Sequence, residues 1–145
     1  MKTDQRIKDI VVAAIHRHSM GIDSWVRTRL WDSGDPLVKK ELSRSCELAP
    51  VELPILYSYI DAENWTLVTT RRVWYSVGRQ IGSVTASDVT KHRLGDFKGH
   101  GKQEAERMVI SSQDGRAHYC PFETGKPSMG TIYAIMTLCQ VTPAT

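Results

Sequence analysis

The sequence predicts an α+β fold: a strongly bent antiparallel sheet closed by a C-terminal helix, with a helical N-terminal extension. Three observations carry this expectation. Residues 55–60, 65–70 and 73–77 are β-rich runs, and the polar Asp61-Ala62-Glu63-Asn64 separates the first two. In the second run Trp65, Leu67 and Thr69 alternate with Thr66, Val68 and Thr70, the period of 2 that a half-buried strand requires. Asp114-Gly115 lies between two further alternating runs, which marks a hairpin. The last apolar segment instead has the spacing of a helix.

In chain order, residues 3–20 predict an amphipathic helix. Ile7, Ile10, Val11, Ala14, Ile15 and His18 fall at i, i+3, i+4, i+7, i+8 and i+11, with Thr3 as N-cap and Gly21 just past the end. Residues 22–34 are ambiguous. Val26 and Leu30 have helical spacing, yet a short strand through Trp25–Trp31 also fits. The two tryptophans either pack on the sheet or present a binding surface. Asp35 and Pro36 open a second helix over 35–46, as N-cap and first-turn proline. Pro50 and Pro54 bracket the entry to the sheet.

Beyond the opening meander, Gly78-Arg79-Gln80 reads as a turn, 81–86 and 89–94 as strands, and 95–102 as a loop containing three glycines. Residues 104–112 and 116–122 form the hairpin around Asp114-Gly115. In 128–140, Met129, Ile132, Tyr133, Met136 and Cys139 share a helical face that Ile135 and Leu138 widen, as expected of a helix docked on a core.

A chain of 145 residues is read as one domain, with 1–50 as the helical extension and 51–145 as the body. No run of eighteen apolar residues occurs, so no transmembrane segment is expected. The apolar patch 10–15 is too short for a secretory signal, which gives a cytoplasmic expectation. Cys46, Cys120 and Cys139 are odd in number and form no CxxC pair; they read as free thiols, with neither a disulfide framework nor a zinc site. His16 and His18 are two apart and make no metal pair on a helix.

Gly125-Lys126-Pro127-Ser128 has a proline where a phosphate loop needs Ser or Thr. GxSxG, HExxH and GxGxxG are missing. No catalytic residue, metal ligand or cofactor is expected. An enzyme reading would have to build a site from His92, His100, His118 and Cys120, and it ranks last.

The segment Asn64-Trp65-Thr66-Leu67-Val68-Thr69-Thr70-Arg71-Arg72-Val73-Trp74-Tyr75 resembles the W-x-L-T-x-x-R-aromatic hairpin of the bacterial pleckstrin-homology-like (PH-like) proteins. Asp114-Gly115 and Phe122-Glu123-Thr124-Gly125 then precede the last helix, as in that family. The resemblance covers residues 55–140. It implies a PH-like barrel and a non-enzymatic habit, and it implies no ligand, because one fold hosts many functions.

Charge supplies the functional expectation. The whole chain carries +3, with a pI near 8.8. Residues 71–102 hold seven Lys or Arg against Asp88 and Asp96, a balance of +5 that leaves −2 elsewhere. Such asymmetry suits an acidic protein partner, or the phosphates of an anionic lipid. Phe97 is the sole aromatic residue near the basic loop, which disfavours nucleic acid. The expectation is a non-catalytic protein-binding module, in its strongest form an immunity protein that neutralises a cognate bacterial toxin. The alternative is an anionic-lipid-binding PH-like domain. The partner-binding residues expected are Lys91, Arg93, Lys98 and Lys102, with Trp25 and Trp31 as aromatic anchors.

Overall fold

The computed structural model of the protein describes residues 2–93 and 105–142. Helix α1 spans Asp4–His18, and Thr3 Oγ1 accepts the Arg6 amide at its start. Strand β1, Thr28–Leu30, lies between two short 3-10 turns, so the ambiguous segment is a strand at its centre. Helix α2 spans Pro36–Ser45, and Asp35 Oδ1 accepts the Leu37 amide at 2.8 Å. Strands β2 (Pro54–Asp61), β3 (Asn64–Thr69), β4 (Arg72–Val77) and β5 (Gln80–Thr85) follow. Gly78 and Arg79, both at positive φ, make the two-residue turn between β4 and β5. Strands β6 (Val89–Arg93), β7 (Ala105–Ser112) and β8 (Ala117–Glu123) precede helix α3, Lys126–Val141. The expected loop 95–102 lies outside the described residues.

The described strands form two antiparallel sheets, β1-β2-β3-β4-β5 and β6-β7-β8. The 3-10 turn Ala86–Asp88 separates them, where the sequence shows only another turn. Register sorts the larger sheet into two faces. Leu30, Leu56, Val68, Val73 and Val84 stand directly opposite one another in a row crossing all five strands. This row faces Ile110, Phe122, Ile135 and Leu138, so the main core lies between the two sheets and α3. Each aliphatic side chain fully buried there contributes about 1.5–3 kcal/mol. The opposite face carries Tyr57, Trp65, Leu67 and Trp74, covered by Leu42 and Cys46 at the end of α2.

The N-terminal helices are part of these layers. Val11 and Ile15 of α1 are fully buried in the main core, and α1 packs along α3. Because α3 is covered by α1 on one side and by strands on another, it buries Thr131, Ala134, Ile135 and Leu138. Met129, Tyr133, Met136 and Cys139, the centre of the expected stripe, are only half-buried. Among the described residues no helix is long and apolar enough to cross a membrane.

Candidate functional site

Beside the apolar row runs a polar one. Thr28, Ser58, Thr66, Tyr75 and Gly82 are also in direct register across the five strands, two residues from the first row and on the same face. Strand β8 crosses this row. Ser58 Oγ accepts the Glu123 amide at 2.9 Å and lies 3.0 Å from Thr28 Oγ1. Thr66 Oγ1 donates to the Pro121 carbonyl at 2.5 Å, and Tyr75 Oη lies 2.6 Å from His118 Nδ1. As β8 is an edge strand, side chains of the facing sheet satisfy backbone groups that no strand pairs.

His118 is the chemical centre of this crossing. It is buried, and Ser112 Oγ lies 3.1 Å from its Nε2. Ser112 Oγ in turn donates to Asp114 Oδ1. With the serine hydroxyl donating to the ionised carboxylate, Nε2 donates to Ser112, and the Tyr75 hydroxyl donates to Nδ1. The chain of bonds therefore runs Tyr75, His118, Ser112, Asp114. Burial, with Arg116 nearby, pushes the His118 pKa below 6.5. Hydrogen bonds from Ser112 and the Arg116 amide hold Asp114 below 3.8, so it is an ionised acceptor.

This arrangement suits a fixed joint between sheets better than nucleophilic catalysis, since the serine proton is directed away from the imidazole. The expected companions are not brought together. Cys120 is fully buried opposite Met108, and burial pushes its thiol far up. His92 and His118 both face Ile110 from opposite sides in register. Two strand spacings, roughly 10 Å, keep the imidazoles apart. His100 lies outside the described residues. Among the described residues no three His, Cys, Asp or Glu side chains are placed to hold a metal ion.

A groove of about 320 Å³ opens beside this joint. Its floor is Gly82 and Tyr75. One wall is Ile81 of β5, and the other carries Tyr119, Arg107 and Arg116. Ile81 and Tyr119 are 47% and 49% exposed, unusual for large apolar side chains. Neither guanidinium has a hydrogen bond or ion pair among the described residues, and no acidic residue lines the groove. A wider depression of about 520 Å³ lies on the other side of Arg107 and extends to Ala105, where the described chain resumes.

The described members of the expected site lie on different elements, β6 and the segment around β1. Trp25 is only 4% exposed and its ring lies against Gly130 of α3, so it packs and presents no face to a partner. Trp31 is half-buried, edge-on to Tyr57 and beneath Lys39 Nζ. Lys91 is exposed on β6 and Arg93 ends that strand. Lys98 and Lys102 lie outside the described residues. The basic segment is also less cationic in space than in sequence. Arg71 pairs with Asp4 at 3.1 Å, Arg72 with Glu52 at 2.5 Å and Arg79 with Glu63 at 3.1 Å.

Arg107 and Arg116 escaped the sequence reading. Arg107 follows Glu106 and Arg116 follows Asp114 closely, so neither raises the local charge. Placing Arg107 and Tyr119 on outward-facing positions of one hairpin was the available signal. The chain matches no family model, no curated protein and no solved structure.

Proposed function

We propose that the protein is a non-catalytic protein-binding module, in its most specific form an immunity protein that binds and neutralises a cognate bacterial toxin. The observation that supports it is the groove with exposed Tyr119, Ile81, Arg107 and Arg116. Tyrosine and arginine are the side chains that most often anchor protein interfaces, and these two arginines are not committed to internal ion pairs. A PH-like arrangement of the strands remains the structural half of the same proposal. It would supply a rigid scaffold without dictating a ligand.

Capture with the tagged chain, against its source lysate and the product of the neighbouring gene, tests this reading. One stoichiometric protein partner that persists at moderate salt is the expected result. Recovery of lipid alone, lost as salt rises, would favour the anionic-lipid reading, for which exposed Lys91 on edge strand β6 is the supporting observation.

A further inference from the structure

Charge in the groove identifies what kind of segment fits it. Gly82 keeps the floor low, because a Cβ there would stand 2.5 Å from Tyr75 Oη. Along β8, Arg107 stands opposite Pro121 and Arg116 precedes Ala117, so the recess carries a cation on either side of Tyr119, with Ile81 on the β5 wall. A guanidinium prefers a carboxylate, which it can take in a two-pronged geometry, and each such contact is charge-assisted. The wall at Ile81 belongs to β5, the last strand of its sheet, so strand backbone there has a neighbour on one side only. A bilayer is broad and engages protruding cations, whereas these two line a recess.

We propose that the groove between β5 and β8 receives an extended acidic segment of a partner protein, with carboxylates on Arg107 and Arg116 and an apolar side chain between Ile81 and Tyr119. This rests on the protein-binding reading and gives it a place and a chemistry.

The test is a titration of the isotope-labelled full chain, followed by its backbone amide resonances. The probe is a capped hexapeptide alternating glutamate with leucine or phenylalanine, and its counterpart has lysine for glutamate. The acidic probe is expected to give saturable shifts at Gly82, Ala117 and Tyr119, weakening as salt rises. Arg107→Gln and Arg116→Gln, both at exposed positions, are each expected to weaken binding by about tenfold while leaving the remaining spectrum in place. Tyr119→Ala should weaken it with the charges intact.

Shifts located elsewhere, equal shifts from the lysine probe, or undiminished affinity in both glutamine variants would overturn the proposal. So would the same groove shifts from free glutamate or from phosphatidylserine vesicles, since either would replace the occupant. A protein partner retained equally by the double glutamine variant would remove the groove and leave the protein-binding reading standing. Saturation by the acidic probe without any stoichiometric partner in the capture experiment would do the reverse.

Discussion

The Tyr75 ring lies across Gly82, the residue directly opposite it on β5, so closely that a Cβ at Gly82 would stand 2.5 Å from the Tyr75 hydroxyl oxygen. The same hydroxyl is 2.6 Å from His118 on the other sheet. One missing methyl group therefore sets the position of a bond between sheets. Gly82→Ala is expected to destabilise the fold by about 2 kcal/mol, from overpacking and a displaced hydrogen bond. Chemical denaturation of a double-mutant cycle with Tyr75→Ala checks the cause. An unchanged Gly82→Ala cost in the Tyr75→Ala background would disconnect the two residues.

His118 makes the joint sensitive to acid. Its folded pKa lies below the ordinary 6.5, so folding favours the neutral ring. That contribution is fully present above 6.5 and is lost as pH falls through the lower folded value. A proton on Nδ1 would also remove the acceptor used by Tyr75. Stability measured against pH should fall in this window for the native chain. His118→Gln should lower stability at neutral pH and flatten that part of the curve; a curve of unchanged shape would place the titration elsewhere.

Glu52 ties the loop before β2 to the β3–β4 hairpin. Burial pushes its carboxyl up. Hydrogen bonds from Arg72, Thr69, the Ala49 amide and Trp74 together outweigh burial and hold the pKa below 4.5. Its contribution is therefore present at neutral pH and is lost as pH falls through that depressed value. Glu52→Ala would strand the buried Trp74 indole and remove the carboxylate paired with Arg72, for a cost of about 3 kcal/mol. Thermal unfolding at neutral pH measures it, and a loss within the range of ordinary surface changes would show that water replaces the carboxylate.

Gly130 inverts the usual rule for helices. Gly→Ala in a helix ordinarily stabilises by about 0.5–1 kcal/mol. Here the added Cβ would stand 2.6 Å from the Trp25 ring and 3.3 Å from Leu56 Cδ1. Gly130→Ala is expected to destabilise by about 1–3 kcal/mol. Unfolding midpoints of Gly130→Ala, alone and combined with Trp25→Leu, decide whether the ring is the obstacle.

The three cysteines should be slow to alkylate while the chain is folded. Burial pushes the Cys46 thiol to about 12, reinforced by nearby Glu52, and the Cys139 thiol to about 11. Cys120 is shifted upward in the same way. Thiolate is the reactive form, so iodoacetamide at neutral pH should modify the native chain slowly and the denatured chain quickly. Mass spectrometry would reveal rapid native labelling at any of the three, which would contradict the burial described for that site.

Local chemistry was legible in the sequence; the joining of distant pieces was not. Alternation in Trp65–Thr70, the cap at Asp35 and the turn at Asp114-Gly115 act within a few residues and mark a strand, a helix start and a hairpin; the half-burial that the alternation implies does not hold, because β3 is covered on both faces. The division into two sheets depends on a three-residue 3-10 turn whose sequence, Ala86-Ser87-Asp88, resembles any other turn. Charge was misleading for the same reason of range. Arg71, Arg72 and Arg79 look like a basic patch until folding brings Asp4, Glu52 and Glu63 to them. Arg107 and Arg116 stand next to acidic residues in sequence, and Arg116 stays near enough to Asp114 to help lower its pKa, yet neither guanidinium forms an ion pair among the described residues.

The packing of α1 along α3 sets a constraint on the order of folding. α1 leaves the ribosome before α3, yet Val11 and Ile15 gain their full cover only when Ile135 and Leu138 have been synthesised. Until then a nascent chain carries an amphipathic helix with its apolar face exposed and a five-stranded sheet with one bare face. Contacts of such long sequence separation slow folding and prolong the interval in which aggregation competes. A chaperone that shields α1 during synthesis would therefore act on the step at which this fold is most vulnerable.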